Sequence, residues 1–426
     1  MRRTSVAALR TGAILATWLL VGVTTSAIRG EQAEPGSAEP AQPPGVIMPD
    51  EAGPPVAPPP ATPVPRPPLG PFEGLLLGRL AGPLPSTRLA ATPNMFGNFP
   101  GLGGDVLVVD PAYVTLASLP LAADCRRVEV AENNKAYTQD RVFFLYNHFQ
   151  NTLEAAEFDP ALNLIAAHSF SVDRYTLGME KTLADGLWSV EFRLPLAGET
   201  DFFTPDFGVS GGVVGNFALI VKRMLYESAT TGVATGLGID TSTGSRVDGY
   251  ATITGYGDFN QFTMHNDAVH LLPFLGFTQA PTPRLFYHAF LQVDVPLNGN
   301  RIDYFNPVDG AGTFGTLDEQ TLLHVDTSMG YWLYRNPSAC ALTGLASVVE
   351  FHYTTTLQDT DVIVQALGGT AFLFEKLANR KDVPNLTVGL HAELGGQTLC
   401  RVGGVFPLSD DRAFDAEVQV QLERRF

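Results

Sequence analysis

An antiparallel, membrane-spanning β-barrel of about twelve strands is the fold class the sequence predicts, on three observations. The chain ends in a strand with one apolar and one polar face. Similar two-faced segments recur upstream, and the links between them alternate between short and long. In the terminal segment FDAEVQVQLERRF, Phe414, Ala416, Val418, Val420, Leu422 and Phe426 alternate with Asp415, Glu417, Gln419, Gln421, Glu423 and Arg425. Only Arg424 breaks the pattern. A period of two puts the two sets on opposite faces of a strand, as a barrel wall between lipid and lumen requires.

Bulk properties agree. A formal charge of -17 and a pI near 4.8 exclude nucleic acid as a partner, because phosphate needs a basic face. Mean hydropathy is only +0.08, unlike a helical membrane protein. The 42 glycines and 32 prolines suit many short strands joined by turns.

Residues 1–27 read as an export signal: Arg2, Arg3 and Arg10 precede an apolar core over 13–23, and Thr25, Ser26 and Ala27 form a small-residue cleavage site. The apolar stretch is shorter than a spanning helix needs. Fifteen of the prolines fall between Pro35 and Pro71, so 28–71 is expected to be a disordered, proline-rich linker. Region 72–140 is an irregular pre-barrel segment, a plug or periplasmic cap. Its apolar run over 106–121 fits a short helix, a plug or an early strand equally well.

The barrel is assigned to 141–426. Clean alternation marks 188–194, 285–295, 323–331 and 386–394; weaker candidates are 142–150, 164–177, 216–225, 232–239, 268–277, 345–354 and 399–406. With the terminal strand these make twelve, many near the roughly 9–11 residues of a tilted membrane strand. Short links are expected at 226–230, 278–283, 336–341 and 395–397, and long ones at 195–213, 240–267, 296–319 and 357–384. One link, 178–186, is long for a periplasmic turn. Phe143, Phe144, Tyr146, Tyr331, Trp332, Tyr334, Phe351, Tyr353 and Phe426 near strand ends suit interfacial girdles.

Val130 to Lys135 (VAENNK), then Gln139 to Phe144 (QDRVFF), Tyr146-Asn147, and Pro93 to Phe99 (PNMFGNF) resemble stretches preceding and opening the barrels of planctomycete-type Gram-negative outer-membrane proteins. More broadly, the chain from about Pro93 resembles the outer-membrane β-barrel class in architecture. The resemblance implies an outer-membrane location, outer-membrane lipid as surroundings, and insertion by the barrel-assembly machinery through the strand ending at Phe426. It implies no substrate.

Chemical motifs are sparse. There is no nucleophile elbow, phosphate loop or His-Glu-x-x-His helix, so no enzyme, cofactor or metal is expected. His265 and His270 near Asp258 and Asp267 are weighed as a metal or acid–base group, and the oxygen-rich loop 240–258 as a calcium site; solvated loops explain both. In a soluble β-sandwich, His324, Asp326, Glu350 and His352 would suit carboxylate-based sugar cleavage. In a barrel they are wet interior, with Asp294, His324, Asp326, Glu350, His391, Glu393, Glu417 and Glu423 lining the lumen. Such a lumen is acidic and favours cations, giving a porin-like channel for small solutes. The other readings are a non-transporting surface barrel with ligand-binding loops and a secreted carbohydrate-binding or hydrolytic sandwich. Cys125 is expected to pair with Cys340 or Cys400, the three cysteines lacking zinc-site spacing.

Overall fold

The structure, a computed structural model, describes residues 87–98, 104–120, 127–198, 200–253, 259–307, 309–375, 382–410 and 412–426. The signal, the proline-rich linker and Cys125 lie outside the described residues. In chain order the elements begin with α1 (Thr87–Ala91), β1 (Asp105–Val109), β2 (Val114–Ser118), β3 (Arg141–Phe158), β4 (Leu164–Leu183) and β5 (Trp188–Ala197). Next come β6 (Phe202–Phe203), β7 (Phe207–Gly211), β8 (Ala218–Glu227), β9 (Thr231–Asp240), β10 (Val247–Thr252), β11 (Phe259–Met264), β12 (His270–Gln279) and β13 (Leu285–Pro296). The chain continues through β14 (Asn300–Asn306), β15 (Gly310–Leu317), β16 (Thr321–Arg335), β17 (Leu342–Gln358), β18 (Ile363–Leu367) and β19 (Thr370–Glu375). It ends with β20 (Asp382–Leu394), β21 (Thr398–Pro407) and β22 (Ala416–Arg425).

Twelve of these strands close into a barrel. The order β3-β22-β21-β20-β17-β16-β13-β12-β9-β8-β5-β4 is antiparallel throughout, and β3 pairs again with β4 to complete the ring. Each of the twelve segments recognised by alternation falls on one of these strands; most strands run longer than the alternation showed, while β8 and β12 start two residues later than expected and β22 spans only Ala416–Arg425. Closure excludes the secreted-sandwich alternative for 141–426, because a sandwich leaves edges and this ring has none.

The wall is inverted relative to a soluble core. Outward positions carry exposed Leu177, Met329, Val349, Leu390, Val402 and Val418, with Leu390 52% exposed. Inward positions carry buried Arg141, Glu180, Lys222, His352, Arg401 and Gln419. No soluble protein gains by presenting apolar rows to water while burying charges, whereas a bilayer rewards that arrangement. No described helix is long and apolar enough to cross a membrane.

Short links lie at one end and long connections at the other. The awkward link at 178–186 is resolved by β4 itself, which runs on to Leu183 and leaves a tight turn. Ala184, Asp185 and Gly186 there adopt left-handed φ values of 50°, 55° and 79°. Lys181 points outward onto Asp140, a polar contact at the strand's end that disguised its apolar period.

The long connections build a second unit. β6 and β7, β10 and β11, and β14 and β15 join in one six-stranded sheet, order β15-β14-β11-β10-β7-β6. Facing it, β18-β19-β1-β2 extends from the upper half of β3. Between the sheets lies an apolar core including Val106, Phe207, Phe262, Phe314, Phe372 and Phe374. The connections expected as solvated loops are therefore a β-sandwich cap.

The interfacial reading of two aromatics is corrected. Phe143 and Trp332 are 5% and 2% exposed and point inward. Strand parity decides this: Trp332 shares the face of Asp326 and Ser328, and it packs on Phe286 and edge-on to His391. Tyr331, Tyr334, Phe351 and Phe426 are exposed.

Candidate functional site

The lumen is the candidate site, and the chain itself runs through it twice. From α1 at the short-turn end, residues 92–98 ascend; β1 and β2 then join the cap, and residues 127–140 descend to the start of β3. Where the two passes meet, Gly97 has φ +76°, and a Cβ on it would stand 2.3 Å from Glu132 Cα, so only glycine permits the approach. The Met95 amide donates to the Asn134 carbonyl at 2.8 Å, and the Asn133 amide to the Phe96 carbonyl at 3.3 Å. Asn133, at φ 49°, turns its carbonyl and side chain toward the wall.

These passes lack regular backbone pairing, so the wall satisfies their polar groups. Glu350 accepts from the Phe96 amide at 2.9 Å and the Gly97 amide at 3.0 Å. Arg401 donates from Nη1 to the carbonyls of Asn94 and Met95 at 3.0 and 3.1 Å, and from Nη2 to Asn133 Oδ1. Arg193 donates to the carbonyls of Glu129 and Glu132 at 2.9 and 2.8 Å. Lys222 holds Asn134 Oδ1 at 2.7 Å and the Lys135 carbonyl at 3.1 Å. Gln292 bonds both ways, accepting from the Val130 amide and donating to the Val128 carbonyl.

The wall's own charges are cross-linked. Arg141 reaches Glu180 at 2.9 Å, Glu191 at 2.8 Å and Glu423 at 2.9 Å, and donates to the Asn133 carbonyl at 2.6 Å. Arg174 pairs with Glu132 on the descending pass. Ion pairs this buried hold their geometry only when every lone pair and proton is used, and Arg141 uses its fork on three carboxylates.

All eight sequence-derived lumen residues point inward. Asp294 accepts from Arg127 at 2.9 Å and contacts His270 at 2.6 Å. His324 bonds Thr354 at 2.9 Å, and Asp326 meets His352 at 2.9 Å. Glu417 accepts from Asn147, and Glu423 from Asn94 as well as Arg141. His391 is buried against Trp332; Glu393, nearer the short-turn end, is only partly buried. Sequence reasoning selected acids and histidines and missed Arg141, Arg174, Lys222 and Arg401 as lumen residues. The same strand parity would have found them.

The suspected loop group does not assemble. His270 opens β12 and points inward to Asp294, whereas His265 sits in the cap with Asp303 at 2.9 Å; Asp258 lies outside the described residues. Cys340 and Cys400 are free thiols, Cys340 exposed in the β16–β17 turn. The misfit Arg424 points outward and donates to Thr398 at 2.7 Å beside the short-turn end.

No family model matches the chain, and no curated protein matches it. Several solved barrels are similar in shape. They include the NanC porin (7% identity, 67% of this chain and 98% of that one, TM-score 0.37) and an outer-membrane channel from Pseudomonas putida F1 (10%, 68% and 96%, 0.40). The β domain of the Bordetella autotransporter BrkA is another (12%, 68% and 100%, 0.41). At such scores the likeness carries no functional weight, and the twelve-strand ring stands on this chain's own hydrogen-bonded register.

Proposed function

We propose that the chain is an outer-membrane barrel of the channel type, closed in its resting state by its own pre-barrel segment. Small solutes then pass only when that segment leaves the lumen. The observation supporting this is the mode of attachment: Glu350, Arg193, Lys222 and Arg401 hold backbone groups of both passes by hydrogen bonds, alongside separate small apolar clusters such as Met95, Val128 and Val130 against Ile220, Leu272 and Phe274. Hydrogen bonds of this kind can be exchanged for water, whereas strand pairing within the wall cannot be given up inside a bilayer.

With the passes withdrawn, inward carboxylates (Glu180, Glu191, Asp240, Asp294, Asp326, Glu350, Glu417, Glu423 and the partly buried Glu393) exceed inward cations (Arg141, Arg174, Arg193, Lys222, Arg401 and the partly buried Arg425) among the described residues. An open lumen of this composition favours cations. Folded protein in planar bilayers tests the reading. The expected record is silence broken by rare cation-preferring openings. Steady conductance contradicts the closed state, and anion preference contradicts the proposed lumen. Envelope fractionation is expected to require detergent for extraction.

The cap supports a second reading, a surface barrel whose sandwich binds a ligand or partner. It is favoured if neither the native protein nor variants with a weakened plug ever conduct.

A further inference from the structure

Deep in the lumen three potential ligands converge from two parts of the chain. Glu129 comes from the descending pass, Asp326 from β16 and His352 from β17, and one donor atom of each lies within 4.8 Å of the others. All three are buried, at 2%, 1% and 0% exposure. His352 Nδ1 is 2.9 Å from Asp326 Oδ1, and its Nε2 is 3.3 Å from Glu350 Oε2. One imidazole thus faces three carboxylates, so even an imidazolium leaves negative charge in excess. Burying unneutralised charge is expensive, and the site calls for further positive charge.

Two further observations point inward at this spot. Asp326 Oδ2 is buried with no hydrogen-bond partner. The Asn98 side-chain amide, on the ascending pass, donates to the Glu129 carboxylate oxygens at 3.1 and 3.2 Å and accepts from the Asn385 amide at 3.0 Å, and its backbone amide donates to Glu129 Oε2 at 2.9 Å, so both passes meet here. One imidazole converging with carboxylates from pass and wall is a donor set that suits a divalent transition metal.

We propose that Glu129, Asp326 and His352 bind one divalent transition-metal ion of the Mn2+ or Zn2+ class. The ion ties the descending pass to the barrel wall. This rests on the plugged-lumen geometry and goes beyond the channel reading by adding a metal lock to the closure.

The test uses the full folded chain, stripped with chelator and titrated with Mn2+ and separately with Zn2+, with bound metal counted by elemental analysis and Mn2+ followed by electron paramagnetic resonance. About one tightly bound equivalent of at least one metal is expected. Asp326→Asn and His352→Gln should each weaken it by more than the roughly 10–100-fold typical of outer-shell changes. Glu129→Gln, which sits on the plug and leaves the wall intact, serves if either wall variant loses the heat-modifiable mobility of a folded barrel. Sub-stoichiometric binding of both metals overturns the site and leaves a proton shared between Glu129 and Asp326. Binding that survives every variant also overturns it. Metal stoichiometry is read independently of conductance: a protein that binds metal at this site but never conducts, even stripped of metal and with a weakened plug, refutes only the channel, and a conducting protein that binds none refutes only the lock.

Discussion

Arg401→Ala is the perturbation that isolates the plug from the wall. Arg401 projects from β21 and is buried at 1% exposure. Its side-chain contacts go to the ascending and descending passes: the Asn94 and Met95 carbonyls, Asn133 Oδ1, and the Phe96 ring, whose centroid is 5.5 Å from its guanidinium. The backbone pairing of β21 is untouched by the substitution. Three charge-assisted bonds are each worth about 1.5–3 kcal/mol net, but water entering the vacated space restores part of that. Removing one partner of a buried charged network costs about 3–5 kcal/mol, and we take this as the loss in plug docking. At about 1.4 kcal/mol per tenfold change, plug release rises by roughly two to three and a half powers of ten. Single-channel recording reads this directly as open probability. Arg401→Lys, which keeps the charge but loses the fork, should fall between the two. A folded Arg401→Ala protein with the native open probability would refute the argument, since the backbone register of the wall is kept.

Three further outcomes follow from the same geometry. Leu390→Arg, on the outward face of β20, should destabilise folding into lipid vesicles by about 2–4 kcal/mol if that face meets the bilayer near its midplane; a change below about 0.5 kcal/mol in a denaturant titration would deny lipid contact. Phe372→Ala removes a fully buried ring packed on Phe314 at 5.3 Å and Phe262 at 6.2 Å. It should cost the cap about 3–5 kcal/mol, seen as faster proteolysis of the cap with barrel mobility unchanged. Glu375 stands directly opposite Asp105 in the cap, and burial followed by that like charge pushes its carboxyl above the usual range. A raised folded value means the cap is favoured while Glu375 is protonated and loses that advantage as pH rises through the folded value. Glu375→Gln should therefore stabilise the cap at neutral pH by about 0.2–1 kcal/mol and flatten its pH dependence above pH 4.5; equal cap melting for both proteins at pH 7 would contradict this.

The barrel was legible because its constraint is repetitive. Every wall residue faces either lipid or lumen, so Val418 and Gln419, or Leu390 and His391, announce their sides by parity alone. The cap strands carry no such signal. β1, β7 and β10 are five or six residues long and gain their order from the aromatic core between two sheets, not from any period in their own sequences. Phe143 and Trp332 were misread for a related reason: aromatic character near a strand end was weighed above parity, which puts both inside.

The plug was the least periodic part, and its cues were of another kind. The stretches around Pro93 to Phe99 and Val130 to Phe144, singled out by resemblance, are in large part the residues that touch one another in the lumen. Gly97 admits Glu132, Asn133 turns its carbonyl to Arg141, and Lys135 donates to the carbonyls of Ala90 and Thr92 at 2.8 Å. An extended segment whose backbone must be satisfied by a wall needs specific side chains at irregular spacing. Such a requirement leaves motifs rather than alternation.

In the proposed channel, a plug held by buried charges would still be able to leave its barrel. Within the wall, Arg141 has Glu180, Glu191 and Glu423, and Lys222 has Glu180 at 3.0 Å, so these pairs persist when the passes withdraw. Glu350, Arg401 and Arg193 lose their partners on the passes, but an opened lumen is wet, and water repays their desolvation at the moment the hydrogen bonds are lost. Truncating one of these side chains in the closed state is costly because its partner stays buried and dry. Withdrawing the whole segment exposes both partners together, so its free energy is much smaller than the sum of the single truncations. That difference would let closure be specific without being permanent, and the Glu129–Asp326–His352 cluster, where one imidazole meets carboxylates of pass and wall, is the place where the proposed cation would act on the balance.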